Sequence, residues 1–414
     1  MMVLNREDLS EDSTLDIMPR WMVLCLIILL IPACQDRSSD EAYISFLRKQ
    51  SISAKDFVLD LFKEYDIVIL CERNHKEFTQ YELFMDIVGD PYFIDSVGHV
   101  FTEVGVSNLD TAINIFLHSE FRDSATLRRE VTSIFRDIDS APYWHCYSYP
   151  WFLTQLGTLN QGLNDRKVSL HPLSVAFEWS KCTDADQYRS FDQSIVNRDS
   201  LMAENFMGVF DRLNAGTNTS RKALVILNYK HAFLQDHRFL GEITHNTGRY
   251  LANRYGDRVA SVYIMGLAIP EAGHCTIVKD GKWDHYFEAL NRLDVGFKLK
   301  NTPFGRADFD VIPPDSLQDF KYQDQFTGLI YYHPVEERYF RTGWEDFVTD
   351  EFRSEFERRM IIFSDAMELH LSKEEINNHA AINSREDMQE YGNTSELREK
   401  IDRWKREHER PGHE

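Results

Sequence analysis

Asp66-Ile67-Val68-Ile69-Leu70-Cys71-Glu72-Arg73-Asn74-His75 decides the fold. Asp66 to Cys71 is a β-branched apolar run, too short for a buried helix, and reads as a strand buried on both faces. Glu72-Arg73-Asn74-His75 then breaks the run, and Glu77 to Val88 takes up helical spacing. The result is a strand, a polar turn and a helix, the unit from which α/β proteins are built.

Outward from this unit the pattern repeats. Gly98 to Val104, Val168 to Phe177, Lys222 to Asn228 and Arg258 to Leu267 read as further strands. Leu109 to His118, Thr126 to Ile138, Trp151 to Leu163, Asp186 to Leu213 and Leu240 to Tyr255 read as helices between them. Such alternation predicts an α/β three-layer sandwich, with a mainly parallel central sheet covered by helices and ligands gathered beyond the carboxyl ends of the strands. Beyond about residue 283 the segments shorten, with Pro303, Pro313 and Pro314 as breakers and a strand expected at Gly328 to Tyr332. After Trp344 the spacing turns helical: Phe352, Phe356, Met360, Phe363 and Met367 would form one apolar stripe, read as core packing. Ser395 to Glu414 reads as a solvated helix with a frayed end. The expected division is a leader at 1–34, an α/β domain at 35–340 and a helical C-terminal extension at 341–414.

Composition narrows the function. The chain has 414 residues, 43% hydrophobic and 13% aromatic, enough for a large core. Its 46 basic and 67 acidic residues give 46 − 67 = −21, a charge that repels phosphate backbones and excludes a nucleic-acid partner. Beyond the N-terminus no apolar run reaches the roughly 20 residues of a membrane-spanning helix.

Trp21 to Ile31 is wholly apolar, follows Arg20 and is closed by Pro32-Ala33-Cys34, which reads as the core of a signal peptide. Ile31-Pro32-Ala33-Cys34 resembles a bacterial lipobox with Cys34 as the site of lipid attachment, although Pro32 stands where a small residue is usual. A plain secretory signal and an uncleaved anchor are the alternatives, and Met18 makes a better start for such a leader than Met1. The expectation is a cell-envelope protein held at the membrane through a lipid on Cys34. Cys71, Cys146, Cys182 and Cys275 show no CxxC spacing, which argues against a Cys-based zinc site. Outside the cytoplasm a Cys146–Cys182 disulfide is conceivable; plain buried thiols are the alternative.

Four segments carry candidate chemistry. Glu72 and His75 lie in the turn after the first strand, where both can enter one cleft. Glu103 ends the second strand, in Thr102-Glu103-Val104-Gly105, and a buried carboxylate there needs a cation, because desolvating it alone costs several kcal/mol, roughly. Arg198, Met202 and Asn205 share one helix face, with Asp199 about a quarter-turn away, so Arg198 is the natural counter-ion for Glu72 or Glu103. Lastly Leu224 to Asn228 is a strand running into His231, with Asn228 and His231 spaced to look back into the same crevice.

Together these segments resemble the erythromycin esterase family and its relatives in the haem-uptake ChaN and Tiki superfamily. The matching residues are Glu72 and His75, then Glu103, then Arg198-Asp199-x-x-Met202-Ala203-x-Asn205, then His231, spanning roughly residues 60 to 270. Cys71 and Lys76 replace glycines that flank the first motif in the family, and Asn228 stands at the place of a family histidine. The resemblance implies a hydrolase acting on an ester, lactone or related bond of a small molecule without a metal or cofactor. His75 is then expected as general base on water, at an ordinary pKa of about 6.5. Glu72 or Glu103 would orient its ring, Arg198 would hold a carboxylate or polarise the carbonyl, and His231 would bind or protonate the departing group. Two alternatives come with the family: a Tiki-like metal-dependent protease using His75, His231, Glu72 and Glu103 as ligands, and a non-enzymatic ChaN-like haem-binding lipoprotein. For the last, the aromatic stretch Tyr143 to Trp151 could form the haem face, a substrate lid or an ordinary packed loop. A serine nucleophile is disfavoured, since Gly105-x-Ser107 lacks the final Gly of a nucleophile elbow.

Overall fold

Strand β1, Ile67–Glu72, is buried at every residue, as its unbroken apolar run requires of a strand covered on both faces. The strands β2 (His99–Val106), β3 (Ser169–Ser174), β4 (Ala223–Asn228), β5 (Val259–Ile264), β6 (Asp294–Lys298) and β7 (Gly328–Tyr332) complete a seven-stranded sheet ordered β6-β7-β5-β1-β4-β2-β3. All neighbours are parallel except β6, which runs antiparallel to β7 at one edge. The chain moves from β1 outward to β2 and β3, returns to β4 beside β1, and continues on the other side with β5. The carboxyl ends of β1, β2 and β4 are therefore adjacent, next to the switch in strand order where open α/β sheets bind ligands.

The computed structural model describes residues 40–408 except 144–145, 165, 216–220, 240–241, 272–273 and 312–319. The leader at 1–34 with Cys34, the pair Trp144 and His145 of the aromatic stretch, and Pro313 and Pro314 lie outside the described residues. No described helix is long and apolar enough to cross a membrane. From Phe46 onward the described residues form one compact unit.

Alternate residues of each strand face opposite layers. On one face Val68, Leu70, Val100, Leu224 and Ile226 pack with Phe57 of helix α1 (Ala54–Leu61) and Phe84 of α2 (Thr79–Val88). On the other the Phe101 ring lies 4.6 Å from that of Phe206. Helices on both faces of a mainly parallel sheet make the three-layer α/β sandwich that the alternation of elements predicts.

Several boundaries differ from expectation. The helix expected over Asp186 to Leu213 is two, α3 (Ala185–Ser194) and α4 (Arg198–Asn214). At the end of α3 Asp192, Gln193 and Ser194 are exposed, as are Val196 and Asn197 between the two helices, so no buried face carries the helix across the gap. Instead of a helix from Leu240 there is a hairpin of His237–Phe239 with Glu242–Thr244, and helix α5 starts at Thr247 with Asn246 as its cap. In the apolar stripe Phe356, Met360 and Phe363 are buried; Met367 is 43% exposed, just past the end of α6 (Asp350–Ala366). The stretch after residue 341 also contains a strand, Asp387–Glu390, paired antiparallel with Tyr339–Thr342. Cys146 and Cys182 are separate free thiols, as is Cys71, and all three are buried. The disulfide is thus absent, and burial pushes the Cys146 thiol up to about 12, which keeps it an inert proton-bearing group.

Candidate active site

The turn after β1 brings His75 back over Glu72. His75 Nδ1 bonds Glu72 Oε2, and the Tyr81 hydroxyl from α2 donates to Glu72 Oε1 at 2.6 Å. Glu72 is 1% exposed, while the His75 ring is 23% exposed and presents its Nε2 edge towards Glu103, 3.7 Å away. A buried carboxylate with a hydroxyl on one oxygen and an imidazole on the other fixes the ring's orientation and its Nδ1–H tautomer.

Glu103 reaches the same place through an irregularity in β2. The register with β3 shifts between Thr102 and Val106, and Gly105 has φ +103, a conformation open to glycine. A Cβ at Gly105 would lie 2.7 Å from Pro172 Cβ. Gly105→Ala is expected to lower the unfolding free energy by about 1–3 kcal/mol in urea titrations, through backbone strain and overpacking.

Glu103, 5% exposed, is the hub of the site. Arg198 Nη1 donates to its Oε1 at 3.0 Å, His231 Nε2 lies 3.3 Å from the same oxygen, and the backbone N–H of Asn228 donates to Oε2 at 2.8 Å. The break before α4 makes Arg198 the first residue of that helix, and its Nε also approaches Ser174 Oγ at 3.4 Å. His231 is held from its other side by Asp199, whose carboxylate oxygens stand 2.9 and 3.0 Å from Nδ1. Thr247 fixes Asp199 with its backbone N–H at 2.7 Å and its hydroxyl at 2.8 Å. The structure thus brings all five sequence-predicted residues together: His75, Glu72, Glu103, Arg198 and His231.

The electrostatics differ from expectation at the two histidines. Burial lowers the pKa of His75, but Glu72 and Glu103 outweigh it and raise the value to about 9. For His231 burial is likewise outweighed, by Glu103 and Asp199, and the value rises to about 10. Conversely, burial of Glu103 is overcome by His231, His75 and Arg198, which hold its carboxyl well below the usual range, and His231 and Thr247 lower Asp199 despite its burial. A His75 base with an ordinary pKa is therefore corrected: with a pKa of about 9, roughly one ring in a hundred is neutral at pH 7.

His75, Glu103, Ser174, Asp139 and Arg198 line a cavity of about 360 Å³. Among the described residues no group of three or more His, Cys, Asp or Glu is placed to hold a metal ion. The geometry gives a reason: carboxylates occupy both Nδ1 atoms, and Arg198 bonds the one Glu103 oxygen that both Nε2 atoms face. Asn228 enters through its backbone, while its side chain accepts from Lys230 N at 3.4 Å and caps the turn. The sequence reading left out Tyr81, Asp139 and Thr247, and gave Asp199 no role although it is part of the quoted Arg198-Asp199 motif. Of the aromatic stretch, Tyr147 and Tyr149 are buried and Trp151 packs on Phe78 with ring centroids 4.8 Å apart, so these residues belong to the core rather than to a lid or haem face.

No family model and no curated protein matches the chain. Among solved structures it is similar to a succinoglycan biosynthesis protein, with a TM-score of 0.45 and 11% identity over 72% of this chain and 97% of that one. It is similar too to an erythromycin esterase mutant, EreC, in its open conformation (TM-score 0.41, 13% identity, 66% of this chain and 91% of that one). A third is ChaN of Campylobacter jejuni with cofacially bound haem (TM-score 0.33, 13% identity, 54% and 88%). The last two are of the kinds that the sequence motifs resemble. At TM-scores below 0.5 none of them assigns a residue or a reaction to this chain.

Proposed function

We propose that the chain is a hydrolase that adds water to an ester, lactone or related carbonyl. One observation carries the reading: Glu72 engages Nδ1 of His75, which leaves Nε2 at the cavity beside the Arg198–Glu103 pair. In the neutral ring, with its hydrogen on Nδ1, the Nε2 lone pair can take a proton from water. Arg198, 30% exposed, keeps N–H groups available for the oxygen that gains charge as the carbonyl is attacked. His231 and Asp199 hold Glu103 and complete the charge balance. A larger cleft of about 880 Å³ is lined by Asn108, Asp137 and Phe177, each two residues from a residue that lines the smaller cavity (Val106, Asp139 and Val175), and gives room for the body of a substrate. With the leader read from the sequence, the place of action is the cell envelope, the enzyme being held through a lipid on Cys34.

The test is turnover of activated aryl esters and lactones between pH 6 and 10. Since the base must lose a proton and His75 does so at about 9, log kcat/KM for an activated ester is expected to rise by about one per pH unit up to about pH 9 and then level. A plateau already reached at pH 7 would remove His75 from the base role. Dialysis against a chelator is expected to leave turnover unchanged, whereas loss of activity restored by Zn²⁺ or Mn²⁺ would favour the metal-dependent alternative.

A further inference from the structure

His231 is poorly placed to protonate a leaving group: Asp199 holds its Nδ1, Glu103 stands at hydrogen-bond distance, 3.3 Å, from its Nε2 against 3.7 Å for His75, and the cavity is lined by His75 and not by His231. Asp139 stands differently. It follows helix Ser124–Arg136 and shares the cavity wall with His75, Glu103 and Arg198. Its backbone is pinned on either side: the Ile138 carbonyl accepts from Val106 N at 3.0 Å, and its own carbonyl accepts from Trp179 Nε1 at 3.1 Å. Its Oδ1 accepts from Ala141 N at 2.8 Å and lies 3.5 Å from Ser140 Oγ. Among the described residues Oδ2 has no hydrogen-bond partner. A carboxyl held by one oxygen, with the other unengaged at a reaction cavity, is a group positioned for a ligand atom.

We propose that Asp139 is the general acid of the site, giving its Oδ2 proton to the departing alcohol; the inference rests on the hydrolase reading above. The water oxygen bonds the carbonyl carbon while one of its protons passes to His75 Nε2, and the carbonyl electron pair moves onto the oxygen facing Arg198. As that oxygen re-forms the double bond, the carbon–oxygen bond to the alcohol breaks, its electron pair stays with the alcohol oxygen, and this oxygen takes the Asp139 proton. The products are an acid and an alcohol; solvent returns a proton to Asp139 and removes one from His75. Burial raises the Asp139 pKa, with help from Glu103 and against the opposing pull of the Ala141 N–H, Arg198 and His75, a shift in the direction that the step requires. The charged and titratable groups around it are His75, Glu103, Arg198, Tyr188 and Cys146.

Leaving groups of different basicity test the role. A nitrophenolate departs without help, whereas a simple alkoxide needs a proton, and acid catalysis contributes about 10²- to 10⁴-fold where it is needed. Asp139→Asn is expected to lower kcat/KM at least about 100-fold for an alkyl ester and less than about tenfold for the nitrophenyl ester of the same acid. Equal losses on both esters, or no loss on either, overturn the acid role while leaving the hydrolase reading intact. Failure of wild-type protein to hydrolyse either ester overturns both. If circular dichroism shows the variant unfolded, wild-type pH profiles decide. The alkyl ester should give a level profile between the titrations of Asp139 and His75, since the acid is lost as the base is gained, while the nitrophenyl ester rises throughout. Parallel rising profiles overturn the proposal.

Discussion

His75→Ala is expected to lower kcat/KM for an activated ester by about 10²- to 10⁴-fold at pH 9, with kcat falling and KM nearly unchanged. The size follows from what the side chain does: among the described residues His75 is the one histidine that lines the cavity, while the Nε2 of His231 sits 3.3 Å from Glu103. The variant keeps the Tyr81 hydroxyl on Glu72 at 2.6 Å, so the carboxylate is not left bare. Loss of the base also abolishes the rise of rate with pH, because the group titrating at about 9 has gone. A variant that keeps both the wild-type rate and the alkaline rise would show that another group activates water, and the assignment of His75 would fall. Folding is checked by near-UV circular dichroism, since the ring packs over a buried acid.

Much of this arrangement was legible from residue types alone. The β1 and β4 runs, Asp66 to Cys71 and Lys222 to Asn228, agree within a residue with the observed strands because each is a continuous apolar segment ended by a polar turn. Glu103 announced itself as a charge at the end of a buried strand, a position that demands a cation, and Arg198 supplies it at 3.0 Å. The edge strand β6 escaped notice since Asp294-Val295-Gly296-Phe297-Lys298 is short, flanked by charge and contains a glycine. The break between α3 and α4 has no Pro or Gly to mark it; it arises from a stretch without a buried side, which a single helical period does not reveal. Asp199 and Asp139 were hidden for another reason. Their placement depends on neighbours distant in the chain: Thr247 binds the Asp199 carboxylate, and Trp179 with Val106 pin the backbone carbonyls of Asp139 and Ile138. The histidine pKa values were beyond reach on the same grounds, since they depend on how closely three acids surround two rings.

Glu103→Gln is expected to destabilise the fold by about 3–5 kcal/mol at pH 7, the range for removing one partner from a buried ionic cluster. At that pH three cations face the Glu103 carboxylate: Arg198, His75 and His231. Glutamine preserves shape and can still accept from Asn228 N, so the cost reports charge rather than volume. The sign with pH follows from the shifts. Both histidines have folded pKa values raised above 6.5, to about 9 and 10, so their share of stability is full below about 6.5 and is lost as pH rises through those values. Glu103 itself has a depressed pKa, and its share is present above the ordinary carboxylate range and lost as pH falls through the folded value. Urea unfolding of wild type and Glu103→Gln should therefore show the largest gap near neutral pH and a smaller one at pH 10, where His75 is mostly neutral and His231 about half so, and the Arg198 pair is the full interaction left to lose. A gap that stays constant from pH 7 to 10 would mean that neither imidazole is charged in the resting site, and the alkaline rise in activity expected of His75 would lose its electrostatic basis with it.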